Sequence, residues 1–200
     1  MSQFPTAQFQ LSVAHVEQFP ADTGAEMALA GRSNSGKSSA LNALTERKSL
    51  ARVSKTPGRT RLLNYFDLGT GRRLVDLPGY GFAAVTNDER RIWLPLLSAL
   101  RERASLRGLF VIVDSRRGVS EEDLEVIEWA DPARRRVHVL LAKGDKLKRN
   151  ELTLAVREAR SALPPPVTLQ AFSAHDGTGV RDAQKLLQGL LAEKKNPGGG

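Results

Sequence analysis

The sequence predicts an α/β domain: a mostly parallel six-stranded sheet with helices on both faces and one antiparallel edge strand. Short apolar runs alternate with amphipathic helical stretches along the chain, the pattern of strands joined by crossover helices. The central runs LFVIVD and VHVLLA are apolar without alternation, as strands covered on both faces must be. One pair of runs flanks Gly69-Thr70-Gly71, a hairpin signal that sets one antiparallel pair at the sheet edge.

Taken in order, residues 1–10 read as a loose leader, and LSVAHVEQF could add a peripheral strand within an N-terminal segment 1–24. A single domain then spans 25–193. EMALA (26–30) is its first central strand, followed by GRSNSGKSS and a helix to about Arg47. Residues 48–60 carry Pro57, Gly58 and many cations and read as a mobile loop. RLLNYFDL (61–68) and RRLVDL (72–77) form the hairpin. Thr86-Asn87-Asp88-Glu89 offers a capping box for a helix to about Ala104, with Pro95 inside it. LRGLFVIVD (106–114) is a buried strand, and Ser120-Glu121-Glu122-Asp123 opens a helix ending near Asp131-Pro132. RRVHVLLA (135–142), a helix over 149–162, VTLQAFSA (167–174) and a helix over 178–194 complete the domain. Residues 194–200 read as a disordered tail.

Two hundred residues suit one domain with a full-sized core. Thirty Lys and Arg against 22 Asp and Glu leave a net charge of +8, which favours an anionic partner: nucleic acid, a phosphorylated ligand or an acidic membrane surface. There is no cysteine, so disulfides, thiol catalysis and Cys-based zinc sites are excluded, and a reducing cytoplasm fits. MSQFPTAQFQ lacks a basic-then-apolar signal pattern, and no apolar run approaches the ~20 residues of a membrane span. A soluble monomer without membrane attachment is expected.

GRSNSGKS, Gly31 to Ser38, fits G-x-x-x-x-G-K-[ST] at every defined position and lies between a strand and a helix. Small residues let successive backbone N–H groups of Gly31, Arg32, Ser33, Asn34, Ser35 and Gly36 curl around phosphate oxygens, and the helix N-terminus at Ser38 and Ser39 adds its dipole. Lys37 reaches the β- and γ-phosphates, and the Ser38 hydroxyl suits Mg²⁺. In LVDLPGYG, Asp76 closes an apolar strand, where a carboxylate can hold Mg²⁺, and Gly79 can present its N–H to a γ-phosphate. A threonine in the mobile loop is needed to complete the metal shell. Thr60, next to the edge strand, is favoured over Thr56, and Gly58 lies between them. In LLAKGDKL (140–147), Lys143 and Asp145 have the spacing of a guanine-reading pair, although Ala142 stands where Asn or Thr is usual.

GRSNSGKSSALNAL, KTPGRTRLLNYF, LVDLPGYGFA, AKGDKL and FSA, in that order, resemble the EngB (YihA/YsxC) family of TRAFAC-class GTPases over roughly residues 25 to 190. The resemblance implies a Ras-like sheet and a cytoplasmic bacterial GTPase that assists assembly of the large ribosomal subunit, with a link to cell division. It implies GTP or GDP as ligand and Mg²⁺ as cofactor. Lys37, Thr60 and Gly79 take catalytic roles, Ser38, Thr60 and Asp76 hold the metal, and Lys143 and Asp145 read the base. Phe172, Ser173 and Ala174 complete the guanine pocket, with Ser173 and Ala174 presenting N–H groups to the guanine oxygen. Asn34 resembles a residue that holds K⁺ in potassium-stimulated relatives. The alternative reading of Asn34 is a loop residue tolerating an unusual backbone angle.

Tyr80 occupies the position at which many small GTPases carry a water-orienting glutamine. A phenol cannot reproduce an amide that both donates and accepts, so slow intrinsic hydrolysis is expected. Ala142 removes a hydrogen bond worth ~1 kcal/mol, and Gly144 is expected to loosen its loop. Guanine selectivity should survive through Asp145, with weaker binding than in a relative carrying Thr. From Glu46 to Arg61 the loop sets six cations against one acid, which suits rRNA phosphates whose contact depends on salt and on nucleotide state. The other reading of that run is a solvated loop. His15, His138 and His175, far apart in sequence, read as packed or surface residues, and Trp93 and Trp129 as core or interface.

Overall fold

The computed structural model describes residues 3–51, 62–80 and 87–192. Its strands are β1 (Gln8–Val13), β2 (Ala25–Gly31), β3 (Leu63–Gly69), β4 (Arg72–Asp76), β5 (Leu106–Asp114), β6 (Arg136–Ala142) and β7 (Thr168–Ala171). Its helices are α1 (Lys37–Thr45), α2 (Asn87–Glu102), α3 (Glu121–Trp129), α4 (Arg149–Ala162) and α5 (Val180–Ala192). The strands form one sheet in the order β1-β3-β4-β2-β5-β6-β7.

Parallel pairing runs from β4 through β2, β5 and β6 to β7. β3 is antiparallel to both β4 and β1. The sheet thus has the six expected strands and the extra N-terminal strand β1, which takes the edge and leaves the antiparallel strand one place in. β1 covers it, with Val13 opposite Leu63 and Phe9 opposite Phe66.

Side chains of successive strand residues fall on opposite faces, and two cores result. Met27, Leu29, Phe110 and Leu140 pack with Leu41 and Leu44 of α1 and Leu187 of α5. Ala28, Ala30, Val111 and Val139 pack with Leu96 and Leu100 of α2, Ile127 of α3 and Ala159 of α4. Each helix offers apolar residues on one face, which is what buries it against the sheet.

Residues 4–7 are not a loose leader. Phe4 is fully buried in the core of α1 and α5, with the Arg72 guanidinium 5.6 Å from its ring centroid. Thr6 donates to the Leu68 carbonyl at 3.4 Å, and Arg47 donates to the carbonyl of Pro5. Burial of one aromatic ring is enough to order so short a segment. The stretch AHVEQF, read as strand, turns away instead: Val16–Gln18 form one 3₁₀ turn.

Other boundaries shift by a few residues. α1 ends at Thr45, and β7 ends at Ala171 rather than 174. α3 opens as expected, Ser120 accepting from the Asp123 N–H at 3.3 Å and Asp123 accepting from the Ser120 N–H at 2.9 Å. Thr86, Thr56, Gly58, Thr60 and the tail 194–200 lie outside the described residues.

Glu26, fully buried at the start of β2, is held by Arg103 at 2.7 and 2.8 Å and by Arg73 at 2.7 Å. A charge buried there is tolerable because two guanidiniums and their hydrogen bonds compensate it. The pairs fasten the end of α2 and the start of β4 to the strand from which the site is built.

Candidate nucleotide-binding site

All the candidate residues within the described segments emerge at the carboxyl ends of the parallel strands, where open α/β sheets bind their ligands. β2 leads into Gly31–Ser38, β4 ends at Asp76, β5 at Asp114, β6 at Ala142 and β7 just before Phe172. β2 lies between β4 and β5, and the chain crosses past it on the way from β4 through α2 to β5, so the crevice lies above β2.

The phosphate loop is bent by two left-handed residues, Asn34 at φ +64° and Gly36 at φ +107°. Glycine adopts that conformation without strain, and Asn is among the residues that tolerate it. The second reading of Asn34 therefore describes its backbone. α1 starts at Lys37, so Ser38 and Ser39 sit in its first turn with N–H groups that no helical carbonyl can reach.

Lys37 Nζ makes an ion pair with Asp76 Oδ1, both side chains 12% exposed. The cation read as a phosphate ligand and the carboxylate read as a metal ligand thus meet at one point, beside Ser38. A hydroxyl and a carboxylate are the hard oxygen donors that suit Mg²⁺, so the residues present fit that ion. Among the described residues there is no cluster of three or more His, Cys, Asp or Glu able to hold a metal.

Gly79 lies against the phosphate loop. A Cβ there would come within 2.8 Å of Ser33 Oγ and 3.3 Å of the Ser33 backbone, so a side chain at this position would crowd the loop. The next residue closes the contact: Tyr80 accepts from the Ser33 N–H at 3.0 Å. Its phenol turns away to donate to Asp123 Oδ1 at 2.6 Å. Burial, then the charge of Asp123, push the Tyr80 hydroxyl well above the usual phenol range, so it stays a neutral donor.

Lys143, at φ +61°, places Nζ 2.5 Å from the Asn34 carbonyl and 3.0 Å from Asp114 Oδ2. Asp114 also takes two hydrogen bonds from the Arg116 guanidinium, at 2.9 and 2.7 Å, and one from its backbone N–H at 3.1 Å. Burial alone would raise the Asp114 carboxyl, but Arg116 and Lys143 outweigh it and hold it far below the usual carboxylate range. Asp145 Oδ1 accepts from Ser173 Oγ at 2.8 Å, and Oδ2 pairs with Lys146 at 2.9 Å. Hydrogen bonds from Lys146 and then Ser173 lower its pKa.

Ser173 is fully buried, and its own N–H donates to the Thr178 carbonyl at 2.9 Å. The expectation that it presents an N–H to guanine is corrected: its hydroxyl orients Asp145, and Ala174 is left to offer the amide. Gly144 does not loosen its loop. It is buried in a 3₁₀ turn and donates to the Phe172 carbonyl at 3.1 Å.

Asp114 and Asp123 were missed by sequence reading. Asp114 ends an apolar strand in the same way as Asp76, and that parallel was the available signal. Asp123 was legible only as a capping residue. Of the loop cations, Arg47 and Lys48 are exposed, while Arg52, Lys55, Arg59 and Arg61 lie outside the described residues. His138, 6% exposed, is packed between Thr168 and Gln170 at 2.7 and 3.1 Å.

A strand-to-helix phosphate loop, a carboxylate at the neighbouring strand end and a lysine–aspartate pair above them define the P-loop GTPase class. Residues 26–143 match the family described as 50S ribosome-binding GTPase. A relative from Azoarcus sp. (strain BH72), named probable GTP-binding protein EngB, is 47% identical across the whole of both chains. The chain belongs to the EngB family of that class. The fold is shared with a solved structure of a probable GTP-binding protein engB, at TM-score 0.66 and 23% identity, covering 85% of this chain and all of that one. It is also shared with Era solved in complex with MgGDPNP and nucleotides 1506–1542 of 16S ribosomal RNA, at TM-score 0.65 and 21% identity, covering 88% of this chain and 59% of that one.

Proposed function

We propose that the chain binds GTP and GDP with Mg²⁺, hydrolyses GTP slowly on its own, and acts in the cytoplasm as a nucleotide-gated assembly factor for the large ribosomal subunit. The observation that carries the reading is Lys143, whose ammonium bridges the phosphate loop at Asn34 and the strand end at Asp114, two residues from an Asp145 already oriented by Ser173. Phosphate and base halves form one site.

In this reading Asp145 accepts from guanine N1–H and the 2-amino group, a donor pair adenine does not offer. The Lys143 stem lies along the base. Lys37 and the amides of the phosphate loop hold the β- and γ-phosphates. Ser38, Asp76 and Thr60 would hold Mg²⁺, which when bound neutralises charge on the phosphate oxygens. Gly79 presents its N–H to the γ-phosphate and so distinguishes GTP from GDP. Tyr80 is turned to Asp123, so no side chain at that position orients the attacking water, which supports slow turnover. In the same reading the exposed Asn34 side chain helps hold K⁺ beside the phosphates. Equal hydrolysis in K⁺ and Na⁺, unchanged in Asn34→Ala, would remove that element.

The charge of +8, the cationic loop and family membership support an rRNA-rich partner. No helix among the described residues is long and apolar enough to cross a membrane. Cosedimentation with large subunits, in GDP and in a slowly hydrolysed GTP analogue across a salt series, tests the proposal. Binding favoured by the analogue and weakening with salt is expected. Equal binding in both nucleotides, or none, would contradict it.

A further inference from the structure

The Tyr80 side chain has no use in the chemistry just described, yet both its ring and its hydroxyl are held. Its ring packs against the core shared by α2, α3 and α4, and its hydroxyl donates to Asp123 Oδ1 at 2.6 Å. Asp123 is only 1% exposed and cannot drift, because its second oxygen accepts from the Ser120 N–H and hydroxyl, each at 2.9 Å. At the other end of the same residue, the Tyr80 carbonyl accepts from the Ser33 N–H at 3.0 Å, and Gly79 packs so closely on Ser33 that a Cβ would come within 3.3 Å of its backbone. A second pair, Arg32 to Glu122 at 3.9 Å, links the same two elements. The peptide joining Gly79 to Tyr80 is therefore held between the phosphate loop and the first turn of α3.

We propose that Tyr80 is the positioning residue for γ-phosphate recognition: its hydrogen bond to Asp123 sets the Gly79 N–H against the phosphate loop. This rests on the function proposed above. The consequence is selective. GDP has no γ-phosphate and makes no use of Gly79, so losing the phenol hydroxyl costs GTP-state affinity and leaves GDP affinity alone. A merely structural role would weaken both nucleotides together.

The test compares wild type, Tyr80→Phe and Ser120→Ala for GDP and for a slowly hydrolysed GTP analogue by fluorescence titration, with thermal melts alongside. Tyr80→Phe keeps the ring and removes only the donor. Ser120→Ala weakens the α3 cap but leaves the acceptor of Tyr80 in place. The expected result is an analogue affinity about tenfold lower in Tyr80→Phe, with GDP affinity unchanged. Ser120→Ala should lower the melting temperature and shift the ratio of the two affinities less than Tyr80→Phe does, because the Ser120 N–H still holds Asp123. An unchanged ratio in Tyr80→Phe would overturn the proposal, as would parallel loss of both nucleotides or the same ratio shift in Ser120→Ala. A wild type that binds neither guanine nucleotide would instead overturn the function on which it rests.

Discussion

Lys143 Nζ lies 2.5 Å from the carbonyl of Asn34, 109 residues earlier in the chain, and 3.0 Å from Asp114. The base loop is therefore tied to the phosphate loop although Ala142 has no side-chain donor to do it. Lys143→Met keeps most of the stem and removes both ties. Charge-assisted hydrogen bonds contribute about 1.5–3 kcal/mol each, so affinity for GTP and GDP should fall by tens-fold together, as read by fluorescent-nucleotide titration.

Ala142→Thr asks how much tying remains to be gained. Ala142 is buried between the phosphate loop and the core. One added hydrogen bond of about 1 kcal/mol should tighten GDP binding roughly fivefold, with discrimination against ATP unaltered. No tightening would contradict the expectation that Ala142 costs the site a hydrogen bond.

Asp145 receives a hydrogen bond from Ser173 at 2.8 Å, which leaves its carboxylate oriented by a fully buried neighbour. Asp145→Asn removes the charge and one acceptor, so the loss should reach about 3 kcal/mol, near 100-fold in guanine-nucleotide affinity. Ser173→Ala should lose less, because the acceptor survives and only its orientation relaxes. Competitive titration ranks the two.

His138 makes an acid-sensitive point in β6. Burial lowers its pKa from 6.5 to about 4, despite the hydrogen bond to Gln170. The unfolded chain takes up a proton below pH 6.5 and the folded chain only near pH 4, so stability rises with pH across that window and is lost as pH falls through it. The contribution amounts to about 3 kcal/mol at the acid end. His138→Gln should flatten the fall in denaturation midpoint between pH 6.5 and 4, measured in urea.

Phe4 is fully buried against α1 and α5. Phe4→Ala should cost about 3 kcal/mol, which for a chain of this size is roughly 6–12 °C in melting temperature. A change within one degree would return the segment to the status of a leader.

The central strands were legible because β2, β5 and β6 are continuous apolar runs covered on both faces, and the phosphate loop because its spacing is set by the ligand. β1 was only half legible. QFQLSV has few apolar residues, and what orders it is Phe4, outside the strand, together with pairing to Leu63–Asp67. VTLQAFSA reads as one strand, but only Phe172 still donates to Leu141 at 2.9 Å beyond Ala171, and Ser173 then turns to hold Asp145. Long-range polar pairs were the least visible. Tyr80 meets Asp123 across 43 residues, and Glu26 meets Arg103 across 77. No local pattern marks either partner, because the fold alone brings them together.

The central claim is that Lys143, Asp145 and the loop at Ser173 make a guanine site in spite of Ala142. Competition of GTP, GDP and ATP for a bound fluorescent guanine nucleotide, with Mg²⁺ present, tests it most directly. GTP and GDP should each displace the probe, and ATP should fail to do so at concentrations at least a hundred times higher. Displacement by ATP at the same concentration as GTP would contradict the account.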